Sequence, residues 1–141
     1  MLALLHSHLV DLIEHARREA PRECCGLIGG KTDGRAESVY RMRNVAADPL
    51  TTYEAAPEDL FAAQRSMRQR GEQLLGIYHS HPLVDHPTPS ATDVRLAYYP
   101  SAVYFIVGLG GERPNLRAFR ISECQGRWEP AEYEVIANAN R

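Results

Sequence analysis

The sequence lacks any apolar run approaching the roughly 18–20 residues that a membrane-spanning helix needs. Its first twenty residues, MLALLHSHLVDLIEHARREA, are too polar for a secretory signal and carry no basic residues ahead of the apolar ones. Basic clusters interleaved with aromatic residues are also missing and the net charge is −2, so nothing indicates nucleic-acid binding. We therefore predict a cytoplasmic protein that binds neither membranes nor nucleic acids.

Cysteine is scarce, with only Cys24, Cys25 and Cys124 in the chain. An odd number, two of them adjacent, argues against a disulfide framework, and we expect all three to be buried thiols. Zinc deaminases of nucleobases use a Cys-x-x-Cys pair, and this chain has none. The sequence therefore argues against a deaminase. A chain of 141 residues can bury a core without disulfides, and no internal repeat or linker divides it. We expect a single domain over residues 1–141.

Hydrophobic periodicity predicts alternating helices and strands. Helical spacing covers the first twenty residues, a second helix begins near Pro57 and ends near Gly71, and a short third helix lies within SATDVRLAYY. The segments with strand character are CGLIGG, AESVYRMRNVA, LLGIYHSH, AVYFIVGL and NLRAFRI, with TTYEAA and WEPAEYEVI as further short strands. This order predicts an α/β layered protein with a mixed sheet.

The tripeptide His-Ser-His occurs twice, and geometry separates the two copies. Residues i and i+2 of a helix point about 200° apart, so His6 and His8 should diverge. On a strand the same spacing puts side chains on one face, so His79 and His81 should project together at the end of LLGIYHSH. The second copy is therefore the candidate metal-binding pair.

A catalytic zinc site needs a third protein ligand and a base that accepts a proton from water. Asp93 follows His81 by twelve residues, and the intervening loop could bring its carboxylate over the strand end. Ser90 and Asp93 also have the spacing of a helix capping box, a structural role that is compatible with a site. Glu23 precedes the apolar segment CGLIGG and is the candidate base.

Together, PRECCGLIGG and HSHPLVDHPTPSATD resemble the JAMM (MPN+) zinc metalloproteases, in particular their short prokaryotic members. The resemblance implies a JAMM/MPN fold related to cytidine deaminases, with a curved mixed β-sheet flanked by helices. It implies that Zn2+ is bound by His79, His81 and Asp93. It further implies that Glu23 activates the water and that Ser90 hydrogen-bonds the tetrahedral oxyanion.

One feature departs from the family pattern. Eight residues, 82–89, separate the second histidine from Ser90, where the family usually has seven. A loop absorbs one extra residue at low cost, so we keep Ser90, with Thr88 as its alternative. Asp85 and His86 lie in the same loop as rival ligands, and we expect them to be exposed loop residues.

The resemblance implies an isopeptidase or peptidase that hydrolyses the amide bond after the C-terminal glycine of a ubiquitin-like or sulfur-carrier protein. The amine released would be a lysine or a small amine such as cysteine. Three alternatives remain at this level: a binding scaffold without catalysis, a general small-peptide metallohydrolase, and a cysteine nucleophile at Cys24 or Cys25.

Overall fold

A computed structural model describes residues 1–138, so the last three residues of the expected domain, 139–141, lie outside it. The helices are α1 (His6–Glu19), α2 (Pro57–Arg70) and α3 (Ala91–Arg95). The strands are β1 (Leu2–Leu5), β2 (Cys25–Gly30), β3 (Ala36–Met42), β4 (Gln73–His81), β5 (Val103–Gly108), β6 (Asn115–Ser122), β7 (Arg127–Pro130) and β8 (Tyr133–Ile136).

Six strands form the main sheet in the order β3-β2-β4-β5-β6-β7. Strand β4 runs parallel to β5, and the other neighbours are antiparallel, which makes the sheet mixed as predicted. Strand β4 lies between β2 and β5, and its backbone pairs with β2 as far as His79 and with β5 as far as His81. His79 is therefore held between two neighbouring strands, whereas His81 is held by β5.

Helices cover both faces of this sheet. On one face, Leu12 and Ala16 of α1 pack with Tyr78 of β4 and other buried residues. On the opposite face, Ala63 and Met67 of α2 pack with a second set that includes Ile77. Side chains alternate along a strand, so the histidines at 79 and 81 share the α2 face with Ile77.

Local signals set the limits of α2. Pro57 occupies its first turn, where the missing N–H of proline costs nothing. Gly71 ends the helix with a positive φ of 68°, the left-handed conformation that glycine adopts most easily. Both limits agree with the prediction from the sequence.

The prediction that helical structure covers the first residues of the chain is wrong, because Leu2–Leu5 form β1. This strand pairs in parallel with β8, for example Leu2 with Tyr133. A partner so far away in the sequence leaves no trace in local periodicity. The segment WEPAEYEVI likewise divides between β7 and β8, which belong to different sheets.

Two further differences are local. Cys124 is exposed, contrary to prediction, because it lies in the tight turn between β6 and β7, whereas Cys24 and Cys25 are buried. The segment TTYEAA forms only an isolated bridge between Asn44 and Ala55. By contrast, helix α3 is short and ends at Arg95, within the segment SATDVRLAYY as predicted. None of the helices within residues 1–138 is long and apolar enough to cross a membrane.

Candidate metal centre

The second His-Ser-His lies at the end of β4, and its two imidazoles face each other. The Nε2 atoms of His79 and His81 are 3.2 Å apart. His79 is paired with Cys25 on one side and Ile106 on the other, which leaves it 1% exposed. His81, at the strand end, is half-buried and therefore open to approach from the loop that follows.

Asp93 reaches this pair from the first turn of α3. Its Oδ2 lies 3.1 Å from Nε2 of His79 and 3.1 Å from Nε2 of His81. The same oxygen accepts a 2.9 Å hydrogen bond from the backbone N–H of Ser90, while the Asp93 N–H donates to Ser90 Oγ at 3.0 Å. The capping box and the contact with the histidines therefore coexist, because the box fixes the carboxylate that faces the imidazoles.

These three atoms fit a metal ion. Zinc with ligand bonds of about 2.0–2.1 Å places tetrahedral ligand atoms about 3.3 Å apart. The triangle formed by the two Nε2 atoms and Asp93 Oδ2 has edges of 3.1–3.2 Å. Two imidazoles and one carboxylate also form a ligand set typical of catalytic zinc, which leaves a fourth position for water.

Glu23 forms the other wall of the cluster. It lies just before β2, is 4% exposed, and places Oε2 4.0 Å from Nε2 of His81. Glu23, His79 and His81 by themselves have ligand atoms within 4.8 Å of one another and could hold a metal ion. Asp93 contacts both histidines at shorter range, so two carboxylates compete for the third ligand position.

The two carboxylates differ sharply in proton affinity. Burial raises the pKa of Glu23 to about 7, helped by the negative charges of Asp93 and Asp48 and opposed by His81. Burial acts in the same direction on Asp93, but the neighbouring His79, the imidazole hydrogen bonds and the Ser90 N–H outweigh it and hold its pKa well below the usual range. Carboxylates whose pKa values are pushed apart in this way are typical of acid–base sites.

His81 is affected by the same neighbours. Burial alone would lower its pKa, but the hydrogen bond and charge of Asp93 and the charge of Glu23 raise it overall. Oε1 of Glu23 is buried and has no hydrogen-bond partner among residues 1–138. It therefore has an acceptor available for a water or a substrate N–H.

Three residues around the centre were given no role by the sequence. Ser80, between the two histidines, accepts a 2.8 Å hydrogen bond from the N–H of Cys24 and so ties β4 to the segment carrying Glu23. Tyr53 stacks on the His79 ring, with centroids 4.6 Å apart and planes 28° from parallel. Asn44 is 3% exposed and hydrogen-bonds the carbonyl of Glu23. Strand alternation predicts that Ser80 faces away from the histidines, but no local pattern marks the other two.

The other candidates from the sequence lie apart from this cluster. His6 begins α1 and is exposed, while His8 accepts a hydrogen bond from the N–H of Leu5 through Nδ1. Asp85 and His86 are exposed in the loop before α3, as expected.

The two adjacent cysteines are poor nucleophile candidates. Burial raises the pKa of the Cys24 thiol to about 12, against a smaller opposing effect of its hydrogen bond with Ser80. Burial, together with the neighbouring Cys24, raises that of Cys25 to about 12 as well. The reactive thiolate is therefore suppressed at both positions.

Residues 2–122 match the family model described as prokaryotic homologs of the JAB domain, so the chain belongs to this family. The resemblance recognised in the Glu23, His-Ser-His and Ser-x-x-Asp motifs is thereby confirmed at the level of the family.

Three curated relatives are similar over most of their length. The desampylase of Haloferax volcanii is 38% identical over 106 residues, covering 72% of this chain and 76% of the relative. The probable TtuB-protein conjugate cleaving protease of Thermus thermophilus is 39% identical over 111 residues, covering 79% and 70%. The CysO-cysteine peptidase of Mycobacterium tuberculosis is 35% identical over 130 residues, covering 90% and 88%.

Solved structures agree on the fold. A solution structure of a Desulfitobacterium hafniense protein superposes with a TM-score of 0.83 at 33% identity, covering 99% of this chain and 94% of the other. A crystal structure of a JAB1/MPN domain protein from Archaeoglobus fulgidus gives a TM-score of 0.63 at 20% identity, covering 96% and 99%. The fold is therefore of the JAB1/MPN type, as the motifs implied.

Proposed function

We propose that the chain is a zinc-dependent isopeptidase, organised as a single domain over residues 1–141. It would hydrolyse the amide bond after the C-terminal glycine of a ubiquitin-like or sulfur-carrier protein. The observation that carries this proposal is the mutual approach of His79, His81 and Asp93 to 3.1–3.2 Å beside the buried carboxylate of Glu23.

His79, His81 and Asp93 would hold the zinc, and Glu23 would remain outside its ligand set. Asp93 suits the ligand role because it stays ionised and touches both imidazoles. Glu23 lies farther from His81, at 4.0 Å, which leaves room for water between the carboxylate and the metal site. A bound zinc ion would supply a Lewis acid and make water nucleophilic near neutral pH.

Glu23 would act as the general base and then as the general acid. Its pKa of about 7 matches the pH at which a carboxylate both accepts and returns a proton efficiently. Oε1, which has no hydrogen-bond partner among residues 1–138, is available to take the proton from water and deliver it to the departing amine.

Ser90 would stabilise the oxyanion that forms on the substrate carbonyl. Its Oγ accepts a hydrogen bond from the Asp93 N–H, and the hydroxyl hydrogen remains available as a donor. The capping box fixes the position of Ser90 Oγ beside Asp93, which supports this role although the preceding loop has one residue more than the family usually has. Thr88, the alternative donor, is exposed.

The substrate class rests on the family and on a cavity beside the site. The names of two curated relatives describe cleavage of TtuB-protein conjugates and of CysO-cysteine. An apolar cavity of about 340 Å3 opens next to Asp93 and is walled in part by Tyr53, Leu60, Leu96 and Tyr104. It offers an extended tail a place for an apolar side chain while a narrow glycine reaches the metal site.

The test is to offer the zinc-loaded protein a carrier–lysine or carrier–cysteine conjugate beside the free tail peptide. We expect cleavage after the terminal glycine and much slower cleavage of the peptide, because the folded carrier contributes binding energy away from the reacting bond. Equal rates would indicate a general small-peptide hydrolase. Binding of the carrier without cleavage, in protein that retains zinc, would indicate a scaffold.

A further inference from the structure

A buried side-chain amide lies behind the cluster and contacts neither the histidines nor Asp93. Asn44, just after β3, is 3% exposed and makes four hydrogen bonds. Its Nδ2 donates to the carbonyls of Glu23 at 2.9 Å and Thr52 at 3.0 Å. Its Oδ1 accepts from the N–H groups of Ala46 at 3.0 Å and Glu54 at 3.1 Å. All donors and acceptors of the amide are therefore used. Its orientation is unambiguous, because exchanging Oδ1 and Nδ2 would place the Nδ2 hydrogens against the N–H groups of Ala46 and Glu54.

These bonds join the two segments that carry the base and the ring over His79. Thr52 and Glu54 flank Tyr53, so both neighbours of Tyr53 are held by one amide. Tyr53 in turn stacks on His79 at 4.6 Å. Asn44 therefore links the backbone of Glu23 to the segment whose Tyr53 ring stacks on His79.

Glu23 depends on its backbone for position. Its N–H donates to the carbonyl of Pro49 at 2.8 Å, its carbonyl accepts from Asn44, and the next N–H, of Cys24, donates to Ser80. Oε1 has no hydrogen-bond partner within residues 1–138. A carboxylate that must take up and release a proton cannot be fixed by strong hydrogen bonds to its oxygens. The direction of the Glu23 side chain must therefore be set by the peptide groups around it.

We propose that Asn44 is a positioning residue for the hydrolysis, because its amide locks the Glu23 backbone to the segment that carries Tyr53 and so sets the base against the metal site. This inference rests on the proposed function. Asn44 would not touch the substrate, and its loss would act through Glu23.

Two substitutions separate the donor from the acceptor of this amide. Asn44→Ala removes all four hydrogen bonds, whereas Asn44→Asp keeps an acceptor for Ala46 and Glu54 and loses the donors to Glu23 and Thr52. If the tie to Glu23 matters, both variants lose about 10- to 100-fold in kcat, with KM and zinc content within about twofold of the native protein. Native kcat in a folded Asn44→Asp protein would overturn the proposal, since the hydrogen bonds accepted from Ala46 and Glu54 would then suffice for activity.

A double-mutant cycle tests whether the effect passes through the base. In a Glu23→Gln background, Asn44→Ala should lower the residual rate by less than about twofold, because the group it positions has already lost its function. A further loss as large as in the native background would show an independent action and refute the role.

The matched control is Tyr133→Phe. Tyr133 also donates one side-chain hydrogen bond to a backbone carbonyl, that of Leu116 at 2.9 Å, but it packs on the opposite face of the sheet. It should lower stability without changing kcat. If it lowers kcat as much as Asn44→Ala does, the effect of Asn44 is one of general stability and the proposal fails.

Amide hydrogen exchange provides a readout that does not depend on activity. In metal-free Asn44→Ala, the N–H groups of Ala46, Glu54 and Glu23 should exchange at least about tenfold faster, while those of β5 stay protected. Unchanged exchange would show that Asn44 does not couple the segments. If the native protein binds zinc but cleaves no conjugate, the proposed function fails separately, and the exchange data still decide the coupling.

Discussion

Glu23→Gln should inactivate the enzyme and at the same time stabilise the metal-free fold above neutral pH. Gln resembles the protonated carboxyl in size and hydrogen bonding but cannot accept the proton from water. General acid–base catalysis contributes about 10²–10⁴-fold, and kcat should fall by that factor. Zinc content should not change, because Glu23 lies outside the proposed ligand set.

The gain in stability follows from burial of the carboxylate. Burial raises the pKa of Glu23 from an ordinary value of 4.5 to about 7. Below pH 4.5 the group is protonated in both the folded and the unfolded chain, and it costs nothing. Between pH 4.5 and 7 the unfolded chain ionises while the folded protein keeps its proton, so stability is lost across this range, and the loss is complete once the folded protein ionises above pH 7. At 1.36 kcal/mol for each pKa unit the loss is about 3 kcal/mol at most, and solvent contact reduces it to about 1–3 kcal/mol.

The assay is denaturant unfolding of both proteins with a chelator present, at pH 4 and at pH 8. The free energies of unfolding should be nearly equal at pH 4, and the variant should be more stable by about 1–3 kcal/mol at pH 8. Equal stability at both pH values would show that the carboxylate is not held in a desolvated position. Loss of zinc from the variant would place Glu23 among the ligands and refute the proposed division of roles.

Four other variants test the site and the core. Asp93→Asn should abolish stoichiometric zinc binding, whereas joint replacement of His6 and His8 by Ala should leave one zinc per chain. Metal analysis showing the reverse would refute the ligand assignment. Ser90→Ala should lower kcat by about 10²–10³ with little change in KM, and unfolding curves should separate this from the cap loss of about 1 kcal/mol. His15 is buried against the Tyr78 hydroxyl at 2.7 Å, and burial, with the charges of Arg41 and Arg18, lowers its pKa to about 4 against a smaller opposing effect of Asp11. As pH falls, the unfolded chain protonates His15 first, so the contribution of neutral His15 to stability is complete above pH 6.5 and is lost as pH falls toward 4. Between pH 7 and pH 5 the native protein should therefore lose about 1–2 kcal/mol more of its free energy of unfolding than His15→Gln does. Parallel curves of stability against pH for the two proteins would refute this.

The sequence by itself determined which histidine pair can bind one metal ion together. Strand parity places His79 and His81 on one face, and this follows from two-residue periodicity alone. Proline and glycine set the ends of α2 for equally local reasons, and the capping box at Ser90 and Asp93 follows from a spacing of three. Each of these features depends on residues within one turn or one strand of each other.

Tertiary structure decided the features that join distant segments. Pairing of β1 with β8 replaces the predicted start of the first helix, since the hydrogen bonds come from residues more than a hundred positions away. The approach of Asp93 to both imidazoles depends on how the 82–89 loop folds back, and spacing does not encode that distance. Asn44 and Tyr53 acquire their contacts only when the segment after β3 packs against Glu23 and the end of β4. Local patterns report which way a side chain points, whereas the neighbour it meets is set by packing across the whole sheet.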